Sequence, residues 1–267
     1  MGAAKIARAR TPTISLIYHF QRREGAVWWE RRLALGARRL GGDGDLASSG
    51  LKIEAGSKLL FIGDSITDAG RARPVGEGLF GAHGTGYVNI VAGLLGAIHA
   101  EQKIRVVNQG QSGDTILNLK ERWEADVLAL KPDWLCIMIG INDVWRQFDL
   151  PLATEIHVNL AAYEQTLNEL VIATKPGLKG LVMMTPFYIE PLKQDEMRFK
   201  MDGYGQAVKR VAERHGAIFV DVQDAFDKVL GTWYPAAIAW DRVHPNQIGA
   251  TVIAKAFLDA VAFDWGG

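Results

Sequence analysis

The sequence predicts an α/β protein, built as a three-layer α/β/α sandwich around a mostly parallel, doubly wound sheet of five strands. Short apolar runs alternate with longer segments whose apolar residues recur at helical spacing, a pattern typical of βαβ units. The composition, 48% hydrophobic and 22% charged, is that of an ordinary globular protein. In sheets of this kind ligands bind beyond the carboxyl ends of the strands, so the residues that follow each strand are the first candidates for a site.

Five short apolar runs are predicted to be the strands. They span residues 58–63, 104–108, 134–140, 180–185 and 217–221. Helices are predicted between and after them, because apolar residues there stand three or four positions apart and would share one helical face. These helices span 115–130, 153–173, 201–215 and, at the end of the chain, about 246–261.

Charge, apolar length and cysteine content limit the possible partners. Lys and Arg total 30, as do Asp and Glu, so no overall field attracts nucleic acid or an anionic membrane. No apolar run approaches the roughly 18 residues that a transmembrane helix requires. The single cysteine, Cys136, lies in an apolar run, where we expect a buried structural thiol. We therefore expect neither nucleic acid nor a membrane as a partner.

Residues 1–50 differ from the rest of the chain in composition. They carry nine Lys and Arg against four Asp and Glu, and they end in a loop-like stretch at 41–50. The apolar part at 14–20 is interrupted by polar residues and has no clear cleavage site, which argues against a secretory signal. We expect a flexible or weakly helical basic extension, with an Arg-rich targeting or surface helix as the alternative. The domain boundary is placed near Leu51.

Four polar motifs stand where such a sheet would gather them. Three of them directly follow the first three predicted strands, and the fourth precedes the closing helix. They are Gly63-Asp64-Ser65-Ile66-Thr67, Asn108-Gln109-Gly110-Gln111-Ser112-Gly113-Asp114, Gly140-Ile141-Asn142-Asp143 and Asp241-Arg242-Val243-His244-Pro245. Each motif alone is a weak signal, but their order and their positions at strand ends point to one shared site.

The residue types in these motifs suit nucleophilic catalysis. A serine hydroxyl such as that of Ser65 becomes a good nucleophile only when an adjacent base takes its proton. Imidazole is well suited to that step near neutral pH, which points to His244 as the base. Asp241 stands three residues earlier on the same short loop, where it can fix the imidazole tautomer and stabilise the imidazolium that forms.

Each of these residues also has a purely structural alternative. Ser65 stands at a possible helix start and could be only an N-cap. Asn142 and Asp143 could be turn residues, and His244 could belong to a loop before a helix. Asp241 could be a surface carboxylate. The coincidence of all four motifs in one order favours the chemical interpretation.

Together the motifs resemble the blocks GDS, NxGxSG, GxND and DxxH of the SGNH/GDSL hydrolases. The resemblance covers nearly everything from 51 to 261. It implies a flavodoxin-like SGNH fold, with residues 51–267 as the catalytic domain. It also implies that Ser65 is the nucleophile, His244 the base and Asp241 the orienting acid.

The same resemblance assigns an oxyanion hole, the set of donors that stabilises the negative oxygen of a tetrahedral intermediate. Its donors would be the backbone N–H groups of Ser65 and Gly110 and the side-chain amide of Asn142. Glycine at position 110 suits this role because it lets the backbone approach the substrate closely.

Three other patterns are expected to carry no chemistry. The glycines Gly76-x-Gly78-x-x-Gly81 match a dinucleotide-binding fingerprint, but they follow Arg73-Pro74 rather than a strand and are expected to form a loop. Ser112 is a possible rival nucleophile, but it lacks the full G-x-S-x-G elbow. The other histidines show no metal-ligand spacing, so we expect no metal and no cofactor.

A finer resemblance narrows the substrate. The segments around Ser65, Asn142 and His244, together with 70–74 and 184–190, are similar to intracellular acetylxylan esterases. This similarity implies a serine esterase that deacetylates xylo-oligosaccharides or other acetylated sugars through an acyl-enzyme, forms homo-oligomers and works in the cytoplasm. It does not extend to the basic extension.

Aromatic and basic residues beside the motifs are candidates for substrate contact. Trp145, Tyr234 and Trp240 could stack on sugar rings, although core or subunit-contact positions are an equal alternative. Arg71 and Arg73 are expected to line the mouth of the site or to pair with a neighbouring subunit, without a catalytic role.

Other functions remain open at this point. A broad carboxylesterase, a lysophospholipase or a thioesterase could use the same fold, because the sequence does not exclude an apolar channel for a long acyl chain. A non-catalytic carbohydrate-binding protein is the alternative from another class. It is disfavoured because the whole set of reacting residues is present.

Overall fold

The computed structural model describes residues 50–266, which form a five-stranded sheet flanked by helices. Its strands are β1 (Lys58–Gly63), β2 (Arg105–Asn108), β3 (Trp134–Met138), β4 (Gly180–Met184) and β5 (Ile218–Val220). All five predicted strands are confirmed, with small differences at their ends. Apart from Gly50, the predicted basic extension lies outside the described residues.

The sheet has the strand order β2-β1-β3-β4-β5, and every pairing in it is parallel. In β1, Phe61 lies opposite Asn108 of β2 on one side and opposite Cys136 of β3 on the other. After β1 the chain forms β2 on one side of it. The chain then passes to the other side of β1, where it forms β3, β4 and β5 in turn. This reversal makes the carboxyl end of β1 a topological switch point, where a ligand crevice is expected.

Helices cover both faces of this sheet. They are α1 (Ser65–Asp68), α2 (Tyr87–Ile98), α3 (Ile116–Glu121), α4 (Ile141–Asp149), α5 (Leu160–Thr174), α6 (Glu196–His215), α7 (Val222–Leu230), α8 (Pro235–Ile238) and α9 (Gln247–Ala260). Helix α9 packs on α2 and α7, while α3, α4, α5 and α6 pack together as a second group. Right-handed crossovers that run in opposite directions from the switch point place these two groups on opposite faces, so the three-layer prediction is confirmed.

Three predicted helices have different bounds in the structure. Helix α3 is shorter than the predicted span 115–130, because a π-helical segment at Glu124–Leu128 takes the place of its second half. Helix α5 begins later than predicted, because the side chain of Asn159 caps it by accepting from the backbone N–H of Ala162. Helix α6 begins earlier, because Asp195 caps it in the same manner.

Helices α2, α4, α7 and α8 were not predicted. Helix α2 follows Gly86 and contains Gly93 and Gly96, which weaken its helical signal. Helix α4 begins directly after Gly140, inside a motif interpreted only as a strand end. Gly140 has φ 131°, and a Cβ there would lie 2.9 Å from Pro186 Cγ, so the turn into α4 requires glycine. No helix among residues 50–266 is long and apolar enough to cross a membrane.

Two carboxyl groups are buried just beyond the ends of β1 and β3. Asp64 caps α1 by accepting a hydrogen bond from Ile66 N at 3.0 Å, and Asp143 accepts from Ile116 N at 3.0 Å. Burial raises the pKa of both carboxyls to about 7, and the charge of Asp143 contributes further to the shift at Asp64. Both pKa values thus lie above the ordinary 3.8.

These raised pKa values make the fold sensitive to pH. Between pH 3.8 and about 7 the folded protein holds protons on Asp64 and Asp143 that the unfolded chain has already released. The stabilisation from this proton uptake is full below the ordinary carboxyl pKa and is lost as the pH rises towards 7.

We predict that Asp143→Asn reduces this loss of stability. The amide oxygen of asparagine can accept from Ile116 N but cannot ionise, so the unfolding free energy of the variant relative to wild type should increase from pH 5 to pH 8. Denaturant unfolding at several pH values measures this difference. Substitution of the exposed Asp264 by asparagine controls for the removal of one carboxyl group. A relative stability that stays flat or falls with pH would contradict the burial argument.

Candidate active site

Ser65, His244 and Asp241 form one continuous chain of hydrogen bonds. Ser65 Oγ lies 2.8 Å from His244 Nε2, and His244 Nδ1 lies 2.6 Å from Asp241 Oδ2. The hydroxyl and the carboxylate thus contact opposite nitrogens of the imidazole. In this arrangement Nδ1 carries the proton and Nε2 is free to accept one from the serine. The fold therefore brings together three side chains that the sequence analysis singled out.

The carboxylate of Asp241 is held by its own loop. Its Oδ1 accepts hydrogen bonds from the backbone N–H groups of Val243 at 3.0 Å and His244 at 2.8 Å. Burial acts to raise the pKa of Asp241, but the hydrogen bonds from the imidazole and the two N–H groups outweigh it, so this pKa lies below 3.8. The side chain is only 11% exposed, so Asp241 is not a free surface carboxylate. It is ionised at neutral pH and can stabilise an imidazolium.

The loop that carries this carboxylate and imidazole is braced by the segment after β4. Arg242 has a left-handed backbone conformation with φ 63°, and its carbonyl oxygen accepts from Ile189 N at 2.9 Å. Its guanidinium pairs with the carboxylate of Glu190. These contacts join the loop of Asp241 and His244 to the segment that follows β4. Neither Glu190 nor Ile189 was a candidate from the sequence.

Ser65 is the first residue of α1 and stands immediately beyond β1. The N-cap of this helix is Asp64, so the alternative in which Ser65 itself serves as the N-cap is wrong. The end of β1 packs closely against β3, since a Cβ at Gly63 would lie 2.1 Å from the carbonyl oxygen of Met138. Glycine is therefore required at position 63, two residues before the serine that contacts His244.

Gly110 lies on the loop after β2, which is bonded to the end of β1 through Gln111 N and Gly63 O at 2.9 Å. Its N–H donates to Asn108 Oδ1 at 2.9 Å, so this predicted oxyanion donor already has an acceptor. A Cβ at position 110 would lie 2.2 Å from the backbone nitrogen of Asp68. Glycine is therefore required here for close packing against α1, which differs from the close approach to substrate expected from the sequence.

Asn142 is the second residue of α4, so it belongs to a helix rather than to a turn. Its side chain is buried, at 2% exposure. Its Nδ2 donates to the carbonyl oxygen of Asp114 at 2.9 Å, and its Oδ1 accepts from Arg146 at 3.1 Å. An amide nitrogen carries two hydrogens, and within residues 50–266 only one of those on Nδ2 has a protein acceptor. The backbone N–H of Ser65 has no acceptor among the same residues.

Arg122 was missed by the sequence analysis, although it joins the loops of the site. Its guanidinium donates to the carbonyl oxygens of Gly63 at 3.0 Å and Gln109 at 2.8 Å, and to Asp114 Oδ2 at 2.5 Å. Gly63 is the last residue of β1, Gln109 directly follows β2, and Asp114 precedes α3. Two of these acceptors are backbone carbonyls, which every residue has, so no sequence motif marks the contact.

Arg71 lies beneath the site rather than at its mouth, contrary to expectation. It is 6% exposed, and its Nε donates to the carbonyl oxygen of Gly110 at 2.7 Å. Burial lowers its pKa to about 10, which leaves it protonated at neutral pH. Arg73 is about half exposed and pairs with Asp68 Oδ2 at 2.7 Å. The same carboxylate oxygen accepts from the hydroxyl of Ser112 at 2.7 Å, which gives that serine a carboxylate partner but no histidine.

The three aromatic candidates differ in their surroundings. The ring of Trp145 lies 5.8 Å from that of His244, centroid to centroid, in an edge-on arrangement. Tyr234 and Trp240 are 73% and 83% exposed, respectively, on the segment that precedes Asp241. The structure therefore brings Trp145 to the imidazole and leaves the other two side chains largely in solvent.

A cavity of about 200 Å³ opens beside Ser65 and His244. Its other lining residues are mostly small or apolar: Ile66, Ala69, Thr85, Gly86, Tyr87, Pro245, Ala250 and Ile253. Across residues 50–266 no group of three or more His, Cys, Asp or Glu side chains is arranged to hold a metal ion. The glycines at 76, 78 and 81 lie in a loop that bridges to Asn108, as expected, and not at a strand-to-helix turn.

Comparisons with known proteins identify relatives of the whole described domain. The model of the GDSL-like lipase/acylhydrolase family matches residues 61–252. An acetylxylan esterase of Geobacillus stearothermophilus is 61% identical over 215 residues, which are 80% of this chain and 98% of that relative. The crystal structure of Axe2, an acetylxylan esterase from the same organism, matches with a TM-score of 0.80 over the same shares of the two chains.

Further solved structures extend this comparison. LAE5, an alpha/beta hydrolase enzyme from the metagenome of Lake Arreo in Spain, is 55% identical, with a TM-score of 0.79 and coverage of 80% of this chain and 99% of that one. Structures of Axe2 also include catalytic mutants in which a serine, an aspartate or a histidine is replaced by alanine. These relatives confirm the predicted SGNH-type fold. The chain belongs to the GDSL-like lipase/acylhydrolase family and is a hydrolase of carboxylic esters.

Proposed function

We propose that this protein is a serine esterase that removes acetyl groups from xylo-oligosaccharides or other acetylated sugars through an acyl-enzyme. One observation carries the proposal: the hydrogen-bond chain from Ser65 Oγ through His244 to Asp241, in a chain 61% identical to an acetylxylan esterase. A non-catalytic carbohydrate-binding role would not require these three groups to be in contact. The geometry therefore favours the enzyme over the binding protein.

In the proposed reaction Ser65 Oγ attacks the ester carbonyl carbon while His244 Nε2 takes the hydroxyl proton. The carboxylate of Asp241 stabilises the resulting imidazolium. When the tetrahedral intermediate collapses, the bond to the sugar oxygen breaks, and the imidazolium gives its proton to that oxygen. A water molecule then attacks the acyl-enzyme with His244 again as base, and acetate leaves as Ser65 regains its proton.

The oxyanion of each tetrahedral intermediate requires donors that are already in position. We propose the N–H of Ser65, the free amide hydrogen of Asn142 and the N–H of Gly110. The first two are supported by their lack of a protein acceptor within residues 50–266. The N–H of Gly110 would have to share its hydrogen bond with Asn108 Oδ1 or exchange it for one with the substrate.

The size of the cavity supports a short acyl group. A volume of about 200 Å³ is below the roughly 300–1,000 Å³ of pockets that enclose drug-sized ligands. A long acyl chain would need an extended apolar channel beside Ser65. The cavity therefore favours an acetyl ester over the substrates of a lysophospholipase, a long-chain thioesterase or a broad carboxylesterase.

For the sugar, we propose Trp145, Tyr234 and Trp240 as the contacts. Trp145 is supported by its position against His244, whereas the exposure of Tyr234 and Trp240 leaves their faces open for stacking on sugar rings. The same exposure fits a role in subunit contacts. We also propose that the protein forms homo-oligomers and acts in the cytoplasm, as the resemblance to intracellular acetylxylan esterases implies.

We predict that Ser65→Ala lowers the turnover of a simple acetyl ester by about a thousandfold or more, since the nucleophile is lost. Steady-state hydrolysis of a chromogenic acetyl ester, with folding confirmed by circular dichroism, measures the effect. Ser112→Ala is the matched control, because Ser112 is exposed and contacts Asp68 instead of a histidine. Full activity in the Ser65→Ala variant would contradict the assignment of Ser65 as the nucleophile.

We predict a preference for short acyl groups, because the cavity beside Ser65 is small. Values of kcat/KM should fall from acetyl to butyryl to octanoyl esters of the same alcohol. Acetylated xylo-oligosaccharides and acetylated glucose complete the panel and separate a sugar deacetylase from a general acetylesterase. A clear preference for the octanoyl ester would contradict the proposed substrate class.

A further inference from the structure

Arg146 lies one helical turn after Asn142 on α4, close to the proposed site but outside the four polar motifs. Its Nη2 donates to Asn142 Oδ1 at 3.1 Å, and its guanidinium carbon lies 4.6 Å from the centroid of the Trp145 ring. Its Nη1 pairs with Asp149 on the same helix, and its side chain is 25% exposed. The guanidinium thus contacts three neighbours, and the nitrogen that donates to Asn142, Nη2, is not the one that pairs with Asp149.

The contact with Arg146 determines which way the amide of Asn142 points. A guanidinium can only donate hydrogen bonds, and the carbonyl oxygen of Asp114 can only accept them. The amide must therefore turn Oδ1 towards Arg146 and Nδ2 towards Asp114. A flipped amide would place its NH₂ group against the guanidinium and its oxygen against the carbonyl of Asp114. Both hydrogen bonds would then be lost inside a buried site.

The same contact affects the strength of the remaining donor. A positive group that hydrogen-bonds to Oδ1 draws electron density towards the oxygen, so the amide hydrogens on Nδ2 become better donors. Asn142 also lies in the first turn of α4, where the positive end of the helix dipole adds to this effect. Both influences favour negative charge next to the free hydrogen of Nδ2.

Arg146 is also connected to the base. Its guanidinium stacks on Trp145, and the ring of Trp145 lies edge-on to that of His244 with 5.8 Å between centroids. The Trp145 ring is thus fixed between the cation and the imidazole. Arg146 therefore contacts both Asn142, the proposed oxyanion donor, and Trp145, whose ring lies against the imidazole of His244.

We propose that Arg146 is a positioning residue for oxyanion stabilisation. It holds Asn142 with one N–H directed at the oxyanion, and it strengthens that donor through Oδ1. The proposal rests on the proposed function, in which Asn142 stabilises the tetrahedral intermediate. A purely structural alternative is that Arg146 only stabilises α4 through its ion pair with Asp149, an interaction of a kind that contributes little when exposed.

A double-mutant cycle between Arg146 and Asn142 separates these two roles. Arg146→Met keeps the aliphatic part of the side chain and removes the guanidinium, whereas Asp149→Asn removes the ion pair and leaves the contact with Asn142 intact. We expect Arg146→Met to lower kcat for an acetyl ester by about tenfold or more, with KM within about twofold of wild type. Asp149→Asn should leave kcat unchanged.

The decisive comparison uses the Asn142→Ala background. There Arg146→Met should change kcat by less than about twofold, because the amide it positions is absent. A boronic acid, which forms a tetrahedral adduct with an active-site serine, should lose affinity in Arg146→Met by the same factor as kcat/KM. Thermal unfolding of each variant shows whether the fold is retained.

The results test two roles separately: the positioning role of Arg146 and the oxyanion role of Asn142. Equal losses from Arg146→Met in both backgrounds, or an equal loss from Asp149→Asn, would overturn the positioning role in favour of helix stability. An unchanged kcat in Arg146→Met together with a lowered kcat in Asn142→Ala would also overturn the positioning role. If Asn142→Ala itself retained full kcat, the oxyanion assignment of the proposed function would fail instead.

Discussion

The hydrogen bonds of Arg122 hold the site together. Parallel strands bring their carboxyl ends to one edge of the sheet, but the loops beyond that edge have no strand pairing of their own. Arg122 donates to Gly63 O, Gln109 O and the carboxylate of Asp114, and so joins the loops that lead to Ser65 and Gly110. Asp114 in turn accepts from Asn142 through its carbonyl oxygen. Contacts around this one guanidinium thus connect the segments next to all three proposed oxyanion donors.

The sheet and the meeting of the candidate side chains could be predicted because their signals are local. Each strand is a short apolar run, and three of the four motifs follow a strand, so parallel topology alone places Ser65, Gly110 and Asn142 at one edge. Asp241 and His244 are three residues apart on one loop, which makes their contact a matter of short-range geometry. The substrate class came from resemblance, and the acetylxylan esterase at 61% identity supports it.

The residues that support the site could not be predicted, because their partners are backbone atoms or distant side chains. From the sequence, Arg71 was expected to line the mouth of the site or to pair with a neighbouring subunit. In the structure it is buried and donates to the carbonyl oxygen of Gly110. Arg122 stands in a segment that shows only a helical pattern, and Glu190 reaches Arg242 across 52 positions of the chain. Arg146 is the partial exception. Its four-residue spacing from Asn142 is visible in the sequence, but it gains meaning only once α4 is known to begin before Asn142.

The central claim is that Ser65 is the nucleophile activated by His244. The most direct measurement is labelling of the folded wild-type protein with a fluorophosphonate, followed by peptide mass spectrometry to locate the adduct. We predict one adduct per chain, on Ser65, and no adduct in a His244→Ala variant under the same conditions. An adduct on Ser112, or no adduct on a protein that hydrolyses acetyl esters, would contradict it.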